Sequence, residues 1–406
     1  MRSGLTMADT TYVLDLMVTG AALVTVFDDG TGVDTISVLG SYASPVEINL
    51  CHSVLGGWTA SAGARYFDLR GNPHQLIIYG QVERAIGSLG RDLIHGSEFA
   101  NFLAGEAILG GVGGADTING GFGDDTLHGG AGADVLSGEG DNDRLHGNQG
   151  RDTIQGGAGR DTVEGGLGAD YLDGGGSLGD TLSYAGSAWG VQIALTFGAL
   201  ATGRGGDAEG DQVLGFTALV GSDFRDILAD RDKTTLAGRG NDNEFQGGAG
   251  RDRLYLGGGQ DSGFGGEGDD LIWGEEGDDR LAGGSGNDLL RGGAGSDTLT
   301  GGAGADVFEF RRALDSTPAS RDVIADFTAS AGDRLAITGI DADTTLPGDQ
   351  DFHLVTGGLT GEPGELFLLP DGSDLLVLAD VTGDGVPDFA LRLTDCLFVD
   401  GSAFVL

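Results

Sequence analysis

The sequence predicts an all-β chain whose centre is a stacked solenoid of short parallel strands. Three observations predict it. A nine-residue unit repeats seven times without a gap over residues 111–173, and seven more times over 247–309. Outside these arrays, segments such as "YVLDLMVTG", "ALVTVFDDG" and "GELFLLPDGSDLLVLADV" alternate apolar and polar residues between Gly, Asp and Pro breaks. Over most of the chain no convincing amphipathic helical period occurs.

The first array reads GVGGADTIN, GGFGDDTLH, GGAGADVLS, GEGDNDRLH, GNQGRDTIQ, GGAGRDTVE and GGLGADYLD, and a ten-residue unit, GGGSLGDTLS, closes it. The consensus is GGxGxDxUx, with U apolar. Glycines at the first, second and fourth positions allow positive φ and a tight turn rich in carbonyl oxygens. The last three positions then form a short strand with U facing inward. Ile118, Leu127, Leu136, Leu145, Ile154, Val163 and Leu172 fill that slot in the first array, and Leu254, Ile272, Leu281, Leu290, Leu299 and Phe308 in the second. LGGGQDSGF, 256–264, carries Gly263 there, which predicts a thin core at that coil.

A single turn and strand cannot bury an apolar face. Two of them form a flattened 18-residue coil, and successive coils stack at about 4.8 Å. The stacking places His128 and His146, 18 residues apart at the ninth position, one above the other on an outer face. It also aligns the aspartates: Asp116, Asp125, Asp134, Asp143, Asp152, Asp161, Asp170 and Asp180 in the first array, and Asp252, Asp261, Asp270, Asp279, Asp288, Asp297 and Asp306 in the second. Carboxylates about 5 Å apart repel by roughly 1 kcal/mol in water and by several at a protein-like dielectric. A cation between the rungs removes that cost. Carboxylates and turn carbonyls offer only oxygen, which suits Ca²⁺ with its six to eight ligands better than the smaller, octahedral Mg²⁺.

Composition agrees. The 406 residues carry 63 acidic against 22 basic side chains, a formal charge of −41, and 81 glycines. That field excludes nucleic acid and anionic membranes as partners and favours multivalent cations, which offset the self-repulsion of a compact state. Lys233 is the single lysine. Two distant cysteines, Cys51 and Cys396, do not make a disulfide framework. The start, MRSGLTMADTTYVLDLMVTGAALVTVF, does not read as a signal peptide, because Arg2 is its only basic residue and Asp15 interrupts the apolar run. No run of 18 apolar residues predicts a transmembrane segment.

The nonapeptide units resemble the hemolysin-type repeats of RTX (repeats-in-toxin) proteins, which implies parallel β-rolls that bind multiple Ca²⁺ ions between turns. The tail, with GGAGADVFEF, DSTPASRDVIADF, DGVPDFALRLTD and a final FVL, resembles the C-terminal domain of serralysin-type metalloproteases. That likeness implies an uncleaved C-terminal signal and type I secretion from a Gram-negative cytoplasm, through an ABC transporter, an adaptor and an outer-membrane channel. The family's zinc motif HExxH is absent, and His52, His74, His95, His128, His146 and His353 provide no i, i+4 pair around a glutamate. The expected organisation is a β-rich region at 1–86, a first β-roll at 87–183, a hairpin-rich interruption at 184–220, a second β-roll at 221–309 and the serralysin-like domain at 310–406.

Weaker motifs have plainer explanations. GGSLG around Ser177 matches a GxSxG nucleophile elbow but lies inside a repeat, with no helix to follow it. The GxGxxG matches are products of the repeat itself. DVTGDGVPD, 380–388, has the glycine of an EF-hand loop but Leu391 where the twelfth-position glutamate belongs, so a β-turn is expected. The function predicted is that of a secreted, non-enzymatic calcium-binding protein located outside the cell. The alternatives are a secreted hydrolase that uses the repeats as an export and folding aid, and an adhesin or matrix protein of the cell surface.

Overall fold

The computed structural model describes residues 92–96, 100–105, 113–196, 198–231, 242–344, 346, 350–399 and 401–405, together with the backbone of six earlier strands. The amino-terminal stretch MRSGLTMADTTYVLDLMVTGAALVTVF, apart from its strands, and the side chains of Cys51, His52, His74 and Lys233 lie outside the described residues. Among those described, no α-helix occurs, only three short 3₁₀ turns, and no helix is long and apolar enough to cross a membrane. The six early strands, Thr11–Asp15, Ala22–Asp28, Thr35–Leu39, Val46–His52, His74–Ile77 and Arg84–Ile86, fall in the segments whose alternation predicts strands.

The chain forms two compact units, Met1–Gly186 with Gly198–Phe216, and Ser187–Phe197 with Thr217–Leu406. In the first, coils of the repeat alternate between two parallel sheets. One sheet holds Thr117–Gly121, Val135–Gly140, Thr153–Ala158 and Tyr171–Gly175; the other holds Thr126–Gly132, Arg144–Gly150, Thr162–Leu167 and Thr181–Ser183. Register advances by 18 residues per coil, with Leu127 opposite Leu145 and Leu136 opposite Ile154. At the far end, Gln212–Leu214 adds to the sheet parallel to Tyr171–Gly175, and Ala201–Thr202 pairs antiparallel with it.

The second unit repeats the plan. Gln192–Leu195, Ile227–Asp230, Arg253–Gly258, Leu271–Glu276, Leu289–Ala294, Val307–Glu309, Arg334–Ala336 and Phe404–Val405 make one parallel sheet. Opposite it run Glu244–Ala249, Ser262–Glu267, Arg280–Ser285, Thr298–Ala303 and Asp322–Ile324. That face continues with Phe389–Leu393, parallel to Asp322–Ile324, and then turns antiparallel through Asp374–Asp380 and Glu365–Asp371.

The apolar slot forms the core as the period predicts. Leu127, Leu145, Ile154, Leu254, Ile272 and Leu299 are fully enclosed, and each such side chain contributes about 1.5–3 kcal/mol by leaving water. The expected thin place at Gly263 is corrected. Leu256 occupies the first position of that same unit, where the consensus has glycine, and is completely buried. A Cβ built at Gly263 would lie 2.9 Å from Leu256 Cδ1 and 3.0 Å from Ile272 Cγ2, so the leucine has moved from slot to turn and fills the space itself.

Outer positions form ladders of their own. His128 and His146 stack as the 18-residue coil predicts, with ring centroids 4.7 Å apart and planes at 7°. In the second unit Tyr255 meets Trp273 edge-on at 4.9 Å, and the Arg291 guanidinium lies 4.3 Å above the indole while it pairs with Glu309.

Candidate metal centre

The turn glycines bring the aspartates together. Gly150, at a fourth position, has φ +147°, and a Cβ there would come within 1.3 Å of the Gly132 carbonyl oxygen one coil earlier. Only glycine lets the coils stack this closely. Gly120, at a first position, matters differently. Its missing Cβ would stand 2.4 Å from Asp125 Oδ2 and 3.0 Å from the Gly138 carbonyl oxygen, so a carboxylate and the next coil's carbonyl converge on a hollow that a side chain would fill. Gly147 repeats the arrangement with Asp152 and Gly165, and Gly265 with Asp270 and Gly283.

All fifteen predicted aspartates are buried and fall into four ladders, two in each unit. In each ladder the backbone N–H of one rung donates to the Oδ1 of the next. The first unit has Asn101, Asp125, Asp143, Asp161 and Asp180, with steps of 2.6, 2.8, 2.9 and 2.9 Å. Its other ladder runs Asp116, Asp134, Asp152, Asp170 and Asp211, with steps of 2.7, 2.8, 2.8 and 2.8 Å. The second unit has Asn243, Asp261, Asp279, Asp297 and Asp322 at 2.7, 2.9, 2.9 and 2.9 Å. Its fourth ladder is Asp226, Asp252, Asp270, Asp288, Asp306 and Asp333, at 2.8, 2.8, 2.8, 2.9 and 3.1 Å.

Sequence reasoning therefore missed four carboxylate rungs, Asp211, Asp226, Asp322 and Asp333. Each keeps the D-x-U signature, in "DQV", "DIL", "DVI" and "DRL", and this was the available signal. Asp226 even sits in a unit whose rhythm is visible, GSDFRDILA.

Oδ1 is thus committed to the backbone, and the other oxygen is not. In fourteen of the predicted aspartates, Asp125 to Asp180 and Asp252 to Asp306, Oδ2 is buried and meets no hydrogen-bond donor among the described residues. A buried carboxylate oxygen without a partner costs several kcal/mol in desolvation unless a cation or proton joins it. The electrostatics carry the same strain. Burial, the largest cause, pushes Asp143 and Asp261 up to about 8, Asp125, Asp152, Asp252, Asp279, Asp288 and Asp297 up to about 7, and Asp134, Asp170 and Asp180 up to about 6. The amide of the preceding rung opposes the shift, and neighbouring carboxylates add to it, as Asp125 and Asp161 do for Asp143. Asp322 goes furthest, to about 9, through burial and then the charge of Asp297.

The donors fit a hard divalent cation. No cluster of three or more His, Cys, Asp or Glu side chains suited to a metal occurs among the described residues. The stacked turns instead set carboxylate oxygens beside backbone carbonyl oxygens, the mixed all-oxygen environment that Ca²⁺ accepts.

Two weaker motifs resolve into turns. Ser177 lies between Tyr171–Gly175 and Thr181–Ser183, and its hydroxyl accepts a hydrogen bond from the Gly159 N–H at 3.0 Å. In 380–388, Asp380 accepts from the Gly383 and Gly385 amides at 2.6 and 2.7 Å, and Asp388 from those of Val381 and Thr382. These carboxylates are already satisfied by the β-turn that the sequence predicts.

Comparison with known proteins bears on the same residues. The model of the RTX calcium-binding nonapeptide repeat (4 copies) matches at 110–145, 146–177, 237–272, 260–290 and 273–308. A search of curated proteins finds no match. Among solved structures, the chain is similar to the AlgE6R3 subunit of the Azotobacter vinelandii mannuronan C5-epimerase, at 29% identity over 36% of this chain and 77% of that one, with a TM-score of 0.26. It is also similar to the extracellular lipase LipA of Serratia marcescens, at 17% identity and a TM-score of 0.19, over 70% of this chain and 40% of the lipase. Nonapeptide repeats of this kind bind calcium ions, several per block. Residues 110–177 and 237–308 match that model, so both arrays of this chain are RTX, hemolysin-type calcium-binding repeats.

Proposed function

We propose that the chain is a secreted protein that folds around calcium outside the cell, and that its ligands are the fifteen aspartates of the arrays, Asp116 to Asp180 and Asp252 to Asp306, together with turn carbonyls. The observation that carries this is a division of labour within the carboxylates. In fourteen of the fifteen, Asp125 to Asp180 and Asp252 to Asp306, Oδ1 takes the previous rung's amide while Oδ2 stays buried with no hydrogen-bond donor among the described residues, and at most of these rungs a glycine-turn carbonyl of the next coil converges on the same hollow. Bound calcium supplies the positive charge that this arrangement lacks, so its binding free energy is folding free energy. Where calcium is scarce the chain stays largely unfolded through carboxylate repulsion, a state that can be threaded through an export channel. Outside, at the concentrations to which extracellular modules are tuned, about 10⁻⁴ to 10⁻³ M, it folds.

The serralysin-like tail, "DSTPASRDVIADF" through "DGVPDFALRLTD", supports export by a type I system with its ABC transporter, adaptor and outer-membrane channel. In this reading 87–183 and 221–309 are the binding arrays and 310–406 carries the secretion signal. The test is far-UV circular dichroism of the full chain during a calcium titration at neutral pH. A cooperative gain of β signal is expected, and a full β signal in excess chelator would refute the coupling.

A further inference from the structure

The rungs that lie outside the predicted set are not alike. Asp211 Oδ2 accepts the Tyr184 hydroxyl at 3.0 Å. Asp226 Oδ2 accepts the Ser222 N–H at 2.6 Å, and Asp333 Oδ2 accepts the Thr328 N–H at 2.7 Å. In each, a protein donor stands where the array aspartates have none. Asp322 is the exception. It is fully buried, its Oδ1 accepts the Asp297 N–H at 2.9 Å, and its Oδ2 has no hydrogen-bond partner among the described residues. Asp315, the nearby buried carboxylate, is already held by the Arg312 guanidinium and by the Arg311 and Arg312 amides.

We propose that Asp322, in the non-repeat strand Asp322–Ile324, is a ligand of one further calcium ion bound between its coil and that of Asp297, and that Asp211, Asp226 and Asp333 are closed, metal-free ends of their ladders. The proposal rests on the ligand set given under Proposed function and extends it beyond the nonapeptides. A Tyr, Ser or backbone donor on the inward oxygen ends an array by replacing the cation; a bare inward oxygen continues it. The ladder that starts at Asn243 therefore runs one ion past its last repeat, whereas the ladder from Asp226 to Asp333 is stopped at both ends.

The experiment counts calcium on the refolded full chain by equilibrium dialysis with elemental analysis. Asp322→Asn keeps an oxygen for the Asp297 amide and should bind one ion fewer per chain, while Asp333→Asn should keep the wild-type count. An unchanged count in Asp322→Asn overturns the proposal, as does an equal loss in Asp333→Asn. If Asp322→Asn does not refold, wild-type crystals grown with Tb³⁺ decide. An anomalous peak about 2.3–2.6 Å from Asp322 Oδ2 supports the site. Peaks confined to the repeat turns overturn it and leave the repeat ligands standing, and no peak at any turn overturns the repeat ligands and this site together.

Discussion

Stripped of calcium, the folded protein should lose stability as the pH rises from 5 to 8. An aspartate in the unfolded chain titrates near 4, whereas Asp297 is pushed up to about 7 and Asp261 to about 8 in the fold. Between those values the folded state holds more protons than the unfolded one, so stability is present in acid and is lost as pH rises through the folded values. One such group contributes about 1.4 kcal/mol per pH unit, so Asp297, with no exposed surface, has a ceiling of about 4 kcal/mol between pH 4 and 7. Two groups at that ceiling would cancel most of the roughly 5–15 kcal/mol that holds a typical domain together. The assay is urea unfolding followed by far-UV circular dichroism at pH 5, 6, 7 and 8, with chelator and with millimolar calcium. The chelated midpoint should fall with pH until, near neutrality, no folded baseline remains, and the calcium-bound midpoint should rise, because protons and cation compete for the same oxygens. A chelated midpoint at pH 7 equal to or above that at pH 5 would refute the desolvated-carboxylate account.

Other consequences can be checked on calcium-loaded protein. Leu256→Gly should cost about 2–5 kcal/mol by emptying the space against Gly263, and adding Gly263→Leu should recover part of it, measured as urea midpoints. Gly150→Ala drives a Cβ into the Gly132 carbonyl and should cost more than about 3 kcal/mol, with loss of cooperative unfolding. Glu139 holds φ +75° at a second position where most units have glycine, so Glu139→Gly should stabilise by about 1 kcal/mol, seen as a melting temperature raised by a few degrees.

The parts of the fold legible in sequence are those that a fixed period enforces. Ile118 to Leu172 had to face inward, and His128 had to stack on His146, once the coil was 18 residues long. What escaped is what the coil does not fix. Asp211 and Asp322 follow their preceding rungs by 41 and 25 residues, out of step with a period of nine, and Asp333 follows by 27, in step but across a stretch, 310–332, that carries no repeat. The ladder needs only an Oδ1 within reach of the preceding amide and an apolar residue two positions on, and the length of the connecting turn is free. Leu256 was missed for a related reason. Position in the consensus says which residues usually point inward, while the volume left by Gly263 decided which one did. Whether a rung is open or closed was illegible too, because Tyr184 lies 27 residues from the Asp211 it satisfies.

The amide-to-carboxylate ladder also has a direction. Every rung donates to an aspartate that comes later in the chain, 18 residues on in the regular coils. The backbone bonds beside it run the other way, from the Val135, Arg144 and Thr153 amides to the carbonyl oxygens of Asp116, Asp125 and Asp134 one coil earlier. Adjacent coils are thus bonded in both directions, and peeling one away from either end of a stack leaves both an amide and an oxygen unanswered on the coil that remains.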